Sequence, residues 1–207
     1  KIISLFLLAA STVSAQRPAN APPTAASGKP PDTVFLEELT WAEVRDLVRA
    51  GTTTVIVGTA GTEQKGPHMV DGEHKFVMTY AADKVARAIG KTLVAPIITY
   101  VPEGSWETRG GHMGKPGTIT LPEDRFVELL VSTGRSLKSG GFTTILFLGE
   151  SGGNRTGMRS AAEKLNALAA QVRTQGWAWV EARIEVDSHA LRQFAPCDHV
   201  LREPTQE

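Results

Sequence analysis

Runs of apolar, β-branched residues alternate with amphipathic segments along most of this chain, and that alternation most constrains its fold. Continuous apolar runs predict strands at 53–57, 93–98, 143–148 and 177–186. Segments of helical periodicity predict helices at 41–49, 75–89, 122–138 and 155–175. Alternating strands and helices are typical of βαβ units with buried parallel strands. The sequence therefore predicts a single α/β domain with a mostly parallel sheet flanked by helices.

Local patterns also predict where the first helix begins and which helical positions face the core. Thr40, followed three residues later by Glu43, has the capping-box pattern of a helix start. The apolar positions expected to point inward are Val44, Leu47 and Val48 in the first helix, Phe76, Tyr80, Val85 and Ile89 in the second, and Phe126, Leu129, Leu130 and Leu137 in the third.

The beginning of the sequence differs from the rest. Lys1 precedes an apolar run, and the small residues before Gln16 predict a signal peptide over 1–15 that is cleaved after Ala15. The apolar run is too short for a span, which needs about 20 residues, so no stable membrane anchor is expected. Residues 16–33 are rich in Pro and Ala and predict a linker. The α/β domain is expected to occupy 34–207.

Composition limits the partners and the compartment. The chain of 207 residues balances 22 Lys and Arg against 22 Asp and Glu, which argues against nucleic acid as a partner. Its single cysteine, Cys197, cannot form an internal disulfide. Export without disulfides predicts a periplasmic or secreted protein. The expected partners are a small molecule and further copies of the chain.

Three loops that follow predicted strands carry polar residues of the kind that perform chemistry. The first loop holds Glu63, His68, Asp71, Glu73 and His74, the second is a glycine-rich segment around His112, and the third contains Glu150, Ser151 and Asn154. Because the carboxyl ends of parallel strands lie at one edge of a sheet, these loops are expected to meet there. Neither a dinucleotide fingerprint nor a serine-hydrolase elbow is found in the sequence.

The three loops together resemble the motifs of the creatininase (creatinine amidohydrolase) family. GTEQKGPHM at 61–69, HMGKPGTITL at 112–121 and GESGGN at 149–154 occur in the family's order. The resemblance implies a creatininase-like α/β fold and a metal-dependent amidohydrolase that opens linear or cyclic amides. It also implies a homo-oligomer, a hexamer in many members. The implied cofactor is a divalent metal, with zinc expected first and manganese or iron as alternatives.

The chain departs from this resemblance at metal positions. Lys65 stands where the family has a histidine ligand, and His74 stands where it has a bridging aspartate. Because an imidazole cannot bridge two cations as a carboxylate does, one metal is expected instead of two. The expected metal ligands are Glu63, His74 and Glu150. Lys65 is expected to supply the positive charge of the missing second metal.

Roles for the remaining polar residues follow from the resemblance and from their places in the loops. Glu73, His112 and Lys65 are the expected catalytic residues, and His68, Trp106, Ser151 and Asn154 are the expected substrate contacts. His68 has the alternative role of a loop brace, Asn154 that of a helix cap, and Trp106 that of a subunit contact.

The predicted function is an exported, metal-dependent hydrolase that cleaves a non-peptide C–N bond, an amide or cyclic amide, with a metal-activated water. The alternative is a non-catalytic relative that binds a small ligand or assembles without turnover. The family's C-terminal motif is not found intact, since Ser188-His189-Ala190 matches only part of it, so a C-terminal truncation is expected.

Overall fold

The computed structural model describes residues 31–149, 151–173 and 181–185. The predicted signal peptide, most of the predicted linker and Glu150 lie outside these residues. The helices are α1 (Trp41–Arg49), α2 (Glu73–Ile89), α3 (Glu123–Ser139) and α4 (Arg155–Arg173), and the strands are β1 (Thr54–Thr59), β2 (Thr92–Val94), β3 (Gly104–Ser105), β4 (Gly110–Gly111), β5 (Thr144–Gly149) and β6 (Glu181–Glu185). Single 3-10 turns lie at Leu36–Glu38, His112–Gly114 and Gly152–Asn154.

The main sheet has four parallel strands in the order β2-β1-β5-β6. In the register, Val55 of β1 lies opposite Leu93 on one side and Ile145 on the other. A second, antiparallel ribbon pairs β3 with β4. The predicted α/β class with a mostly parallel sheet is therefore confirmed, and the ribbon is an addition that carries part of the site.

The two faces of the sheet bury different side chains of the same strand. Val55 and Val57 pack with Phe126 of α3 and Met158 of α4, whereas Ile56, between them, packs with Met78 of α2 on the opposite face. This alternation follows from the two-residue period of a strand. Each fully buried side chain of this size stabilises the fold by about 1.5–3 kcal/mol relative to an exposed one. The helices on both faces thus hold the strand ends in fixed positions.

The first helix forms as predicted. The Thr40 hydroxyl accepts a hydrogen bond from the Glu43 N–H, and the Glu43 carboxylate accepts one from the Thr40 N–H. Val44, Leu47 and Val48 are partly buried against the larger core cluster. Both the cap and the inward face of α1 are therefore confirmed.

The predicted inward face of α2 is wrong at three positions. Phe76 is 68% exposed and Tyr80 is 53% exposed, and Ile89 is also exposed. The face that packs on the sheet carries Met78 with small residues one and two turns later, Ala82 and Ala86. Small side chains let the helix approach the strands closely, so the bulky residues are left outside.

Three further elements differ from prediction in detail. Leu129 of α3, expected to face the core, is exposed, while the neighbouring Phe126 and Leu130 are fully buried. The strand predicted at 93–98 ends at Val94, and Pro96, which has no N–H to donate, follows shortly after. Helix α2 begins at Glu73, so Glu73 and His74 stand on its first turn instead of in a loop. Among the described helices, none combines the length and the apolar character that crossing a membrane requires.

Candidate functional site

Two loops at the carboxyl edge of the sheet are tied together by hydrogen bonds. The loop that follows β1 donates from Gln64 N–H to the Thr118 hydroxyl at 3.1 Å, and it accepts from Ile119 N–H at the Thr62 carbonyl at 2.9 Å. The Thr118 hydroxyl in turn donates to the His112 carbonyl at 2.9 Å. These bonds fix His112 relative to the β1 loop. The predicted convergence of the first two motifs is therefore seen in the structure.

Close packing at Gly117 reinforces this junction. Gly117 has φ +104, a left-handed conformation that favours glycine, and a Cβ on it would lie 1.8 Å from Asp71 Oδ2. The Asp71 carbonyl accepts a hydrogen bond from the Glu63 N–H at 2.9 Å. Glycine at 117 thus lets the second loop reach the residue that holds the backbone of Glu63.

Glu63 is the centre of the site. It is 5% exposed, and its two carboxylate oxygens face different partners. Oε1 lies 2.6 Å from His74 Nε2, and Oε2 lies 3.1 Å from His112 Nδ1. Burial opposes ionisation of Glu63, but hydrogen bonds from Glu103 and His74 and the charge of His112 outweigh it and lower its pKa. The ionised carboxylate therefore accepts from the surrounding groups.

A second group of charges lies on the Oε1 side. Lys65 Nζ is 2.8 Å from Glu73 Oε2 and 3.9 Å from Glu63 Oε1. His74 Nδ1 lies 3.6 Å from Glu73 Oε2. Lys65, Glu73 and His74 therefore form one connected network with Glu63. The Lys65 ammonium lies near both carboxylates, and its expected role in place of a second metal stays a prediction.

The sequence analysis missed Glu103. This residue lies in the second loop, is 5% exposed, and its Oε1 has no hydrogen-bond partner. Burial and the neighbouring Glu63 raise its pKa from 4.5 to about 8. The available signal was an acidic residue after a predicted strand, in Tyr100-Val-Pro-Glu103, but it stands outside the three motifs.

Glu103 is held in place by the backbone around it. Its N–H donates to the Thr120 hydroxyl at 3.0 Å, and its carbonyl accepts from the His112 N–H at 2.9 Å. A Cβ on Gly61 would lie 2.2 Å from Glu103 Oε1, so only glycine there leaves room for the carboxyl group. The buried acid is therefore accommodated by the fold.

The structure offers one set of metal-ligating atoms among the described residues. Single ligand atoms of Glu63, Glu103 and His112 all lie within 4.8 Å of one another. Two carboxylates and an imidazole are donors that suit a divalent cation, and Glu103, whose Oε1 has no hydrogen-bond partner, is one of the three residues. Of the predicted ligands, Glu63 and His74 are adjacent, and Glu150 lies outside the described residues. The predicted set thus stays a prediction.

The predicted substrate contacts lie in different environments. His68 is exposed, Trp106 is 55% exposed, and Ser151 is half-buried. Asn154 is fully buried, and its amide donates to the Ala60 carbonyl at 2.9 Å. Asn154 therefore joins the third motif to the end of β1, so the structure gives it a bracing contact and not a solvent-facing one. His68, Trp106 and Ser151 remain predicted substrate contacts.

The family model for creatininase, described as creatinine amidohydrolase, matches residues 37–199. The chain belongs to the creatininase family. Over 119 residues it is 29% identical to the 3-dehydro-scyllo-inosose hydrolase of Thermotoga maritima, which covers 57% of this chain and 36% of the relative. Over 144 residues it is 32% identical to the mycofactocin precursor peptide peptidase of Mycolicibacterium smegmatis, which covers 66% of this chain and 53% of the relative.

Solved creatininase structures confirm the fold. A crystal structure of creatinine amidohydrolase superposes with a TM-score of 0.61 at 22% identity and covers 83% of this chain and 66% of its own. Other similar structures are a manganese creatininase and a variant creatininase of Zn-Zn type. The chain spans between about a third and about a half of the length of the curated relatives it matches. The predicted family resemblance is confirmed.

Proposed function

We propose that this creatininase-family chain is an exported hydrolase that cleaves a non-peptide C–N bond, an amide or a cyclic amide, with the help of a divalent metal. The observation that carries the proposal is the buried Glu63 carboxylate, which receives His74 on one oxygen and His112 on the other. Burying a carboxylate is costly unless it is paired, and buried titratable groups paired in this way are concentrated at functional sites. Similar creatininases are known in manganese and zinc forms, which supports either metal. Zinc first, with manganese or iron as alternatives, is the metal that the family resemblance leads us to propose.

Different residues of the chain have different proposed roles in the reaction. A bound divalent cation polarises a carbonyl and lowers the pKa of water, which supplies a nucleophile at neutral pH. Glu73, which is half-buried and hydrogen-bonded to Lys65 at 2.8 Å, is the group that we propose takes a proton and passes it to the leaving nitrogen. Lys65 offsets the negative charge of Glu63 and Glu73. His74 orients Glu63, while His112, with a side chain 49% exposed, can contact substrate.

The surroundings of the site agree with a small amide substrate and with self-association. His68, Trp106 and Ser151 are at least partly exposed, as substrate contacts must be. Phe76 and Tyr80 present exposed aromatic rings on α2, and exposed apolar side chains of this kind favour contacts between subunits. A homo-oligomer, a hexamer by the family resemblance, and a periplasmic or secreted location are part of the proposal.

A non-catalytic role is the second candidate, and one contact favours it. Lys65 is engaged by Glu73 at the position where the family resemblance expects a metal ligand. An ammonium group fixed there would prevent a second cation from binding. In this alternative the chain binds a small ligand in the same pocket without turnover.

The test is a hydrolysis screen over lactams, formamides and small amides, run with zinc, manganese and iron. We expect metal-dependent release of an amine, and a loss of about 100-fold or more in Glu63→Gln. Glu128→Gln, an exposed carboxylate on α3, is the matched control and should keep full activity. Binding of amides without turnover in the unmodified chain would reject the hydrolase and favour the alternative.

A further inference from the structure

The two carboxylate oxygens of Glu63 differ in how far neighbouring groups neutralise their negative charge. On the Oε1 side, both ring nitrogens of His74 face carboxylate oxygens, at 2.6 Å and 3.6 Å, and the Lys65 ammonium lies 3.9 Å away. An ammonium 3.9 Å from Glu63 Oε1 would repel a metal cation bound to that oxygen, since two like charges in a partly buried site interact strongly. A cation is therefore disfavoured on this side of Glu63.

The opposite side offers metal-ligating atoms, and no lysine or arginine among the described residues forms an ion pair with Glu103 or His112. Glu63 Oε2 lies 3.1 Å from His112 Nδ1, and single ligand atoms of Glu63, Glu103 and His112 all lie within 4.8 Å of one another. Zinc bonds of about 2.0–2.2 Å place two ligand atoms of a tetrahedral site roughly 3.3–3.6 Å apart, so the first pair is already close to that spacing. Glu103 Oε1 is buried and has no hydrogen-bond partner among the described residues.

The backbone around these atoms holds them in position. Gly61 leaves the space that Glu103 Oε1 fills, and the hydrogen bond from His112 N–H to the Glu103 carbonyl holds the two ligand-bearing segments together. The His112 side chain is half exposed, so the site opens to solvent on that side. Three protein ligands with an open fourth position are the pattern of a catalytic zinc site.

We propose that this chain binds a single divalent cation through Glu63, Glu103 and His112, and that His74 orients Glu63 without ligating the metal. The inference rests on the proposed function only for the presence of a metal, and it replaces His74 and Glu150 by Glu103 and His112 as ligands. With a neutral imidazole, the two carboxylates of the set carry the charge that one divalent ion balances. The Lys65 ammonium and the Glu73 carboxylate form an ion pair of their own, at 2.8 Å.

The test measures zinc binding by chelator competition on the full chain, independently of turnover. We expect one equivalent in the unmodified protein and a loss of more than about 100-fold in affinity in Glu103→Gln and in His112→Gln, because each removes a direct ligand. Glu107→Gln, which changes an exposed carboxylate near Glu103, is the matched control and should bind as the unmodified protein does. His74→Gln should weaken binding by about 10- to 100-fold, as loss of an orienting residue does.

The position of the ion gives a second readout that does not depend on any variant. An anomalous-difference map from crystals of the zinc-loaded chain should place the ion against Glu103 and His112. Undiminished binding in Glu103→Gln and His112→Gln, an ion bound to His74, or no binding of zinc, manganese or iron would each overturn the inference. Binding as expected without turnover of any amide would sustain it while rejecting the proposed function.

Discussion

Replacing Glu103 by glutamine should stabilise the metal-free protein, and by an amount that depends on pH. The pKa of Glu103 rises from 4.5 to about 8 on folding, because the group is buried and lies beside Glu63. The folded state then binds more protons than the unfolded state between these values. The contribution of Glu103 to stability is therefore fully present below pH 4.5 and is lost as the pH rises toward 8.

The magnitude follows from the shift. Each pH unit in this window costs about 1.36 kcal/mol, so at pH 7 the unmodified protein has lost roughly 3 kcal/mol relative to pH 4.5. Glutamine has no proton to lose, and its amide can donate to Glu63 in place of the protonated carboxyl group. The free energy of unfolding of Glu103→Gln, relative to that of the unmodified protein, should therefore rise by about 3 kcal/mol between pH 4.5 and pH 7.

The assay is denaturant unfolding at a series of pH values between 5 and 8, in the presence of a chelator, with the free energy of unfolding taken by linear extrapolation. The quantity that matters is the difference between variant and unmodified protein, since contributions from titrating groups that do not interact with Glu103 cancel in it. Glu107→Gln in the same loop is the control, and its difference should stay flat. A Glu103→Gln difference that does not change with pH would refute the account of a buried, protonated Glu103.

Three further substitutions test other parts of the structure. Gly61→Ala should lower zinc affinity, and cost about 1–3 kcal/mol, because its Cβ would collide with Glu103 Oε1; Gly72→Ala, with open space around the added methyl group, is the control for both measurements. Thr40→Ala should cost about 1 kcal/mol in thermal or denaturant unfolding by removing the capping box, and an unchanged stability would contradict that role. Asn154→Ala should cost about 1–3 kcal/mol because it leaves the Ala60 carbonyl without its buried donor, and a shift within error would show that the brace is dispensable.

The sheet and the first helix could be predicted because their signals are local. The capping pair Thr40 and Glu43 lies within one turn, and the apolar runs of β1 and β5 are continuous. The face of α2 could not be read in the same way, since Phe76 and Tyr80 have the periodicity of a buried face. Which stripe is buried depends on the fit of Ala82 and Ala86 against the sheet, and that is a property of the packed layers.

The candidate site shows the same division. Glu63, His74 and His112 were found from motifs, because each motif follows a strand whose carboxyl end lies at the site. Glu103 was missed because its burial depends on the absence of a side chain at Gly61, far away in the sequence. No pattern near Glu103 signals that space. The ligand set predicted from the motifs therefore omitted the residue whose buried Oε1 has no hydrogen-bond partner.

The exposure of the groups around Glu63 indicates from which side a substrate would reach its carboxylate. His74 is 5% exposed and closes the Oε1 side, whereas the His112 side chain on the Oε2 side is 49% exposed. A substrate that approaches from solvent therefore meets His112 first and reaches the same side of Glu63 that carries Glu103. Lys65 and His74, the two positions that depart from the family resemblance, both lie on the Oε1 side of Glu63. A single cation held on the Glu103 side, as proposed, would need neither residue as a ligand.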